Sequence, residues 1–253
     1  MRRKGHFITA GFMILLAAVF VFPLLLMVIA PLRQPGLPPP RGLGEVFPLS
    51  PSLQSFRDAF SLVPLGRSIL NSIFVTGIAV PITILTASWA GLALTLMRGR
   101  LRVVIIAALV LLATVPLTAV WIPRFVLFDK LGLIGTYVPL IAPALMGGSP
   151  LFVLFYAVAF HRIPREVFEA AIMEGCGALR LWWRVALPLV KPTTAAIVLL
   201  SAVAFWSSFI DPLLYLKAEK DLTAPLMIHS LDLLGPTNWP VFLGASLVIT
   251  LPI

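Results

Sequence analysis

The residues of this chain able to do chemistry are few, and they gather between His161 and Lys191. Glu166, Glu169 and Glu174 stand there among Arg162, Arg165, Arg180, Arg184 and Lys191, with the lone cysteine, Cys176, and Trp182 and Trp183 between them. Carboxylates and guanidiniums at this density suit charge-assisted hydrogen bonds to a partner of opposite sign. They do not suit turnover. No G-x-x-x-x-G-K-[ST] run and no Gly-Lys pair occurs, so the chain has no phosphate cradle for ATP. His6, His161 and His229 fall in or near prospective loops, and no Ser-His-Asp set or carboxylate pair shares a credible site. One cysteine permits neither an internal disulfide nor a zinc set. An enzyme activity of its own is not expected.

What surrounds this polar stretch is almost wholly apolar. Of the residues, 60% are hydrophobic and 11% charged, about half the charge of an ordinary soluble domain, and the mean hydropathy is +1.03. Phe7–Leu32, Ser68–Met97, Val103–Pro123, Leu131–Phe160 and Pro192–Ile210 contain no Asp, Glu, Lys or Arg. A membrane crossing needs about 20 mostly apolar residues, so each run predicts one transmembrane helix. Strands of a membrane barrel would be shorter and alternating. A sixth span starts near Trp239 or Val241. The stretch from there to Ile253 is shorter than a crossing, and a further C-terminal piece is expected. Arg2, Arg3 and Lys4 precede the first span as in a signal peptide, but its apolar core is too long and no small-x-small site follows, so a retained anchor is expected. The fold expected is an all-α polytopic membrane protein with six transmembrane helices, the last truncated.

The net charge of +9 does not point to nucleic acid, because the basic residues alternate with the spans rather than cluster on one soluble face. They set topology instead. The N-terminal basic residues, the short turn with Arg98, Arg100 and Arg102, and the 161–191 segment all fall on one side. The positive-inside rule makes that side, and the N-terminus, cytoplasmic. Arg33, Arg41, Arg57 and Arg67 in the first outer loop weaken the bias, but the short turn obeys the rule best. That loop is rich in proline, Pro38 among others, and so extended or turn-like, with a short amphipathic helix over Ser52–Phe60 that Ser52 could cap. Pro81, Pro116 and Pro123 imply kinks within spans. Span four, with Pro139, Pro143, Gly147, Gly148 and Pro150, reads as a broken helix. Asp129 and Lys130 fall in an outer connection, 217–238 reads as an outer loop, and Arg124 and Asp211 are expected to reach the outer headgroup zone. Polar side chains within spans face a cavity or bond a neighbouring helix; Thr76, Thr83, Thr86, Ser88, Thr114, Thr118 and Ser201 are of this kind.

The 161–191 segment is far longer than a connector needs. Pro164 can open a helix, Glu166 and Glu169 suit its first part, Ala170 and Ala171 favour it, and Gly175 is a stop signal. A second helical piece, Ala178–Leu187, spaces Leu179, Trp182, Trp183 and Ala186 by threes and fours, with Arg180 and Arg184 on another face, until Pro188 stops or kinks it. Two short helices with an apolar and a charged side result. Trp182 and Trp183 suit the lipid headgroup level. Chemistry alone leaves two readings open, an elbow lying on the membrane or a docking element for a cytoplasmic partner.

The order Glu169-Ala170-Ala171, three residues, Gly175, nine residues, Val185, one residue, Leu187-Pro188 resembles the EAA signature of ABC importer membrane subunits, with Val185 in place of the usual Ile and Glu174 in place of Asp. Asn71-Ser72 is similar to the start of the permease core in that family. Phe205-Trp206, Phe209 and Pro212-Leu213 are similar to the fifth span of carbohydrate-uptake, maltose-type permeases, although Ser207 stands where an Asn usually follows the Trp. The resemblance implies an N-terminal helix and Pro-rich loop over 1–68 and a permease core over 69–253, with a coupling-helix loop over 161–191. It implies that Glu169, Ala170, Ala171, Gly175, Leu179, Arg180, Leu187 and Pro188 serve ATPase docking. The residues expected on the solute pathway are Asn71, Ser207 and Ser208, as polar side chains within spans, and Trp206 and Phe209, whose rings could stack on a sugar. The partners implied are a second homologous permease, two cytoplasmic ATPases that bind ATP and Mg, an extracellular solute-binding protein and the bilayer, with no cofactor on this chain. The solute implied is a sugar or sugar derivative in an inner-membrane complex. A polyamine or peptide permease, or a membrane scaffold, are the alternatives.

Overall fold

The computed structural model describes residues 2–252 except 38, 41, 43–46, 49, 234, 236 and 237; Pro38 and Arg41 of the Pro-rich loop lie outside the described residues. The described residues form helices and turns and no strand. In order these are α1 (Arg2–Ile29), α2 (Gln54–Leu62), α3 (Leu65–Leu96), α4 (Arg100–Thr114), α5 (Leu117–Lys130), α6 (Val138–Leu145), α7 (Pro150–His161) and α8 (Arg165–Met173). A helical run Ala178–Leu189 follows, made of α9 (Ala178–Arg180), a π-turn (Leu181–Ala186) and α10 (Leu187–Leu189), and then α11 (Lys191–Trp206), α12 (Ile210–Tyr215), α13 (Ala224–Asp232) and α14 (Trp239–Thr250).

Three helical stretches are long and apolar enough to cross a membrane: Gly11–Leu32, Leu65–Leu96 and Val138–His161. Two more crossings exist if bent pairs each count as one, and Trp239–Thr250 is a shorter apolar helix. The bend in span three falls at Pro116, one of the prolines expected to kink a span. Span three breaks at Val115-Pro116, and α4 and α5 meet at 96°. Pro116 lacks the N–H a continuing helix would need, and it holds its predecessor extended, with Val115 at ψ 122°. Pro81 and Pro123 lie inside helices that run on through them. Span five ends at Trp206 rather than Ile210 and turns into α12. The outer stretch 217–238 is not simply a loop: it contains α13, which buries Leu226, Met227, Ile228 and Leu231.

The chain divides into two compact units, one of Met1–Ile69 with Thr223–Ile253 and one of Leu70–Leu222. In the first, α14 packs on α2, α13 and the short turn Ala30–Leu32. Ser55 Oγ donates to the Arg33 carbonyl at 3.0 Å, Trp239 Nε1 donates to the Leu37 carbonyl at 3.0 Å, and the Arg33 guanidinium lies 5.5 Å from the Trp239 ring centroid. Ser52 Oγ accepts from the Gln54 N–H at 3.1 Å, so the expected helix starts close to Ser52 but two residues later.

In the second unit α3 and α7 approach closely. A Cβ on Gly91 would lie 2.5 Å from Tyr156 Cβ and 2.9 Å from the Ala157 nitrogen, so only glycine permits this crossing. One turn on, Thr95 Oγ1 is 2.9 Å from the Gly91 carbonyl and 3.2 Å from that of Ala157. Thr86 Oγ1 is likewise 2.7 Å from the Ala144 carbonyl at the end of α6. The break in span four comes where expected, between α6 and α7, with Ser149 Oγ capping α7 by accepting from the Leu151 N–H at 3.3 Å. A core of Ala87, Leu92 and Leu94 from α3 with Phe152, Tyr156 and Phe160 from α7 continues without interruption into Phe168, Ala171, Leu181, Trp182 and Ala186 of the polar segment.

Candidate functional site

The polar segment is folded against that core rather than laid loosely beside it. Pro164 holds an extended backbone, at φ −54° and ψ 137°, and α8 starts behind it. Phe168 and Ala171, three apart, turn inward. Glu169, Ala170, Ile172 and Met173 turn outward, and Met173 is 87% exposed. The signature triplet is therefore split: Ala171 packs, while Glu169 and Ala170 form surface.

Gly175 ends α8 in a Schellman motif. The Cys176 N–H reaches back to the Ala171 carbonyl at 3.0 Å and the Gly175 N–H to the Ile172 carbonyl at 2.9 Å. Gly175 has φ +81°, and a Cβ there would meet nothing within 4 Å. Its requirement is backbone conformation, not space. Cys176 packs beside Ala171 at the edge of the core, the apolar contact that accompanies such a cap.

Gly177 then opens the second helical run, its carbonyl accepting from the Leu181 N–H at 2.9 Å. Within this run the π-turn over Leu181–Ala186 sets residues five apart nearly one above the other. Leu181 and Ala186, which an ordinary α-helix would place on different faces, are both buried. Trp182 is buried beside them, and its Nε1 donates to Ser88 Oγ of α3 at 2.9 Å. This corrects the expectation that both tryptophans sit at headgroup level: Trp182 is a core residue, and only Trp183 stands out, 61% exposed. Leu179 and Arg180 are exposed, Leu187 is half-buried and Pro188 is exposed. Leu179, Arg180, Trp182, Trp183 and Arg184 line a groove of about 670 Å³ that begins at Gly175. A separate crevice of about 290 Å³ runs along α8, where Glu169 shares the walls with Arg98, His161 and Arg165. Among the described residues Glu169 makes no ion pair. Thus seven of the eight expected docking residues are wholly or partly on the surface of one segment, and the eighth, Ala171, is their support.

The residues expected on a solute pathway are placed differently from one another. Asn71 uses its amide nitrogen to hold the 219–222 turn, donating to the carbonyls of Lys220 and Leu222 at 3.0 Å each. Trp206 is buried at the end of α11. Ser207, Ser208 and Phe209 form the break between α11 and α12, with Ser207 exposed and donating to the Val203 carbonyl at 2.5 Å.

Two arrangements escaped sequence reasoning. One is the Trp182–Ser88 bond. The other is an ion pair: Arg124 Nη2 of α5 lies 3.4 Å from Asp211 Oδ2 of α12, each about one-fifth exposed. Arg124 also donates to the Pro139 carbonyl at 3.3 Å and lies 5.7 Å from the Tyr215 ring centroid. Both were expected in the headgroup zone, separately; the structure pairs them. Arg124 is the only charged residue over 103–128 and Asp211 the only one over 192–216. Two lone charges of opposite sign in apolar surroundings are a legible signal that they seek each other.

Comparison with known proteins follows these contours. Residues 80–253, which take in the C-terminal half of α3, the 161–191 segment and everything after it, match the family described as binding-protein-dependent transport system inner membrane component. The chain is 27% identical over 248 residues to the arabinooligosaccharides transport system permease protein AraQ of Halalkalibacterium halodurans, covering 97% of this chain and 88% of that one. It is 27% identical over 209 residues to the melibiose/raffinose/stachyose import permease protein MelC of Bacillus subtilis, covering 82% and 75%. Its fold is similar to that of a chain in the crystal structure of a bacterial ABC transporter involved in the import of the acidic polysaccharide alginate, with a TM-score of 0.79 at 22% identity, over 99% of this chain and 92% of that one.

Proposed function

The chain belongs to the family of binding-protein-dependent transport system inner membrane components, and from that premise we propose that it is one permease subunit of an ATP-driven importer for a sugar or oligosaccharide. The observation that carries the coupling role is the outward face of the 165–189 segment. Glu169, Ala170, Met173, Leu179 and Arg180 are presented to a partner on a segment whose inner face is welded to α3 and α7. Ala170 allows close approach, Glu169 accepts from a cationic side chain, and the groove between Leu179 and Trp183 receives an apolar one.

The partner is a pair of cytoplasmic ATPases, which bind ATP and Mg; this chain binds neither. A second, homologous permease completes the pathway, and an extracellular solute-binding protein delivers the solute. The N-terminus and the Arg98–Arg102 turn are cytoplasmic, on the same side as the segment. Closure of the ATPases on ATP favours one of two arrangements of the docked segments. The permeases follow, because a ligand that prefers one state shifts the equilibrium toward it. Oligosaccharide relatives support the solute class, as does the Phe205-Trp206 pattern at the end of α11.

The test is co-expression with the ATPase, second permease and binding protein of the same gene cluster, purification through this chain, and uptake into proteoliposomes. Raffinose, arabinotriose and maltotriose are offered against spermidine and a tripeptide. Copurification of an ATPase and a permease, with ATP-dependent uptake of a saccharide, is the expected result. A chain that purifies without an ATPase overturns the importer reading; uptake of spermidine or peptide alone overturns the saccharide.

A further inference from the structure

Among the described residues Trp182 is the one side chain shared by the docking groove and the buried hydrophobic core. Its ring lines the groove together with Leu179, Arg180 and Trp183. The same ring is 6% exposed, meets Trp89 of α3 edge-on at 5.7 Å and donates its N–H to Ser88 Oγ at 2.9 Å. Ser88 is itself fully buried, and its oxygen lies 3.3 Å from the Leu85 carbonyl. The hydroxyl proton goes to that carbonyl and a lone pair is left for the indole. No polar atom of the pair lacks a partner.

Every other hold between the 165–189 segment and α3 is apolar. Phe168, Leu181 and Ala186 share a cluster with Ala87, Leu92 and Leu94, and among the described residues no other side-chain hydrogen bond leaves the segment for another helix. Apolar contact resists separation but has no direction, so it permits sliding. A hydrogen bond is directional and fixes register. It stands two residues from Thr86, whose hydroxyl reaches the Ala144 carbonyl of α6 at 2.7 Å. A displacement at the groove is thus handed to α3 at Ser88 and to α6 through Thr86.

We propose that Trp182 is the positioning residue that locks the coupling segment to α3, its indole N–H on Ser88 keeping nucleotide-driven movement of the segment and movement of the span in step. The proposal rests on the permease reading. Without the bond the ATPases still dock and close, but the segment slides over α3 and hydrolysis runs ahead of transport.

The experiment uses the assembled transporter in lipid nanodiscs. Nitroxide labels go on Met173 and Ile73 in a Cys176→Ser background, since Met173 and Ile73 are both exposed and Cys176 is the only cysteine. Distances are measured by electron-electron double resonance without nucleotide and after trapping with Mg-ATP and orthovanadate. In the wild type one distance persists through trapping. Trp182→Phe keeps the bulk and removes the N–H; Ser88→Ala removes the acceptor. Each is expected to raise the population of a second distance about fivefold on trapping, the shift one neutral hydrogen bond produces. In Ser88→Ala, whose change lies outside the groove, ATPase remains bound to the same extent, and the double variant raises the second distance no more than either single one. If both variants keep the single wild-type distance in a complex that hydrolyses ATP, the proposal falls while the importer reading stands. If no ATPase binds the wild-type chain, both fall together.

Discussion

At the residue scale the signature divides its work between shape and charge. Glu169 faces outward and unpaired, so its reversal by Glu169→Lys acts on the partner and not on the fold. The expected result is about a tenfold loss of ATPase retained on the purified chain, with the melting temperature unchanged by differential scanning fluorimetry. Gly175 is the opposite case. Its φ of +81° with open space around the missing Cβ means that Gly175→Ala adds no clash but forces an L-residue into a left-handed backbone, at about 1 kcal/mol. Hydrogen exchange at the Cys176 and Gly175 amides, which close the end of α8, should quicken about fivefold in that variant, and exchange in α3 should not change. Sequence reasoning placed Gly175 at the end of α8 because its chemistry is local. It could not tell Trp182 from Trp183, since the π-turn that sends one ring inward and the next outward breaks the spacing by threes and fours on which the reading relied.

At the scale of elements two joints hold the second unit. The α3–α7 crossing depends on Gly91: in Gly91→Val a β-branched side chain would start 2.5 Å from Tyr156 Cβ and 2.9 Å from backbone. Neither can move as a side-chain tip could, and a loss of about 3 kcal/mol is expected, read as a lowered unfolding midpoint in detergent. The Arg124–Asp211 pair joins α5 to α12. Asp211→Asn leaves a half-buried guanidinium short of its counter-charge and should cost about 2 kcal/mol. Arg124→Met with Asp211→Leu removes both charges and should recover most of it, since paired charges at such depth gain little over apolar residues of the same shape. If the double variant is worse than Asp211→Asn alone, the pair has a further role. The long runs made most helices legible, because apolar length is what a bilayer selects. The kink at Pro116 was legible but its 96° angle was not, since a proline tells that a bond is missing but not whether neighbouring helices straighten or exploit the break; Pro81 and Pro123, of the same type, lie in helices that continue. The buried helix α13 hid in a stretch whose Asp221, His229 and Asp232 looked like loop.

For the whole molecule, the 165–189 segment has two faces, an outer one that is exposed and an inner one packed with α3 and α7. Removal of the ATPases from the assembled complex should therefore leave α8 and the π-turn folded. Amide exchange over 165–189, compared with and without ATPase, is expected to differ at Met173 and Leu179 and to be the same at Ala171 and Leu181. The corner between this segment and α11 has a mechanical consequence. The helical run Ala178–Leu189 meets α11 at 88°; Val190 at the apex is buried, and Pro188 and Pro192 on either side fix the backbone. At 1.5 Å per residue one arm is about 18 Å long and the other about 24 Å. A stiff right-angled corner with unequal arms is a bell crank: a push across the membrane surface on the short arm becomes a tilt of the long one, and its far end, where Ser207 and Phe209 stand, travels about one-third further than the end that was pushed.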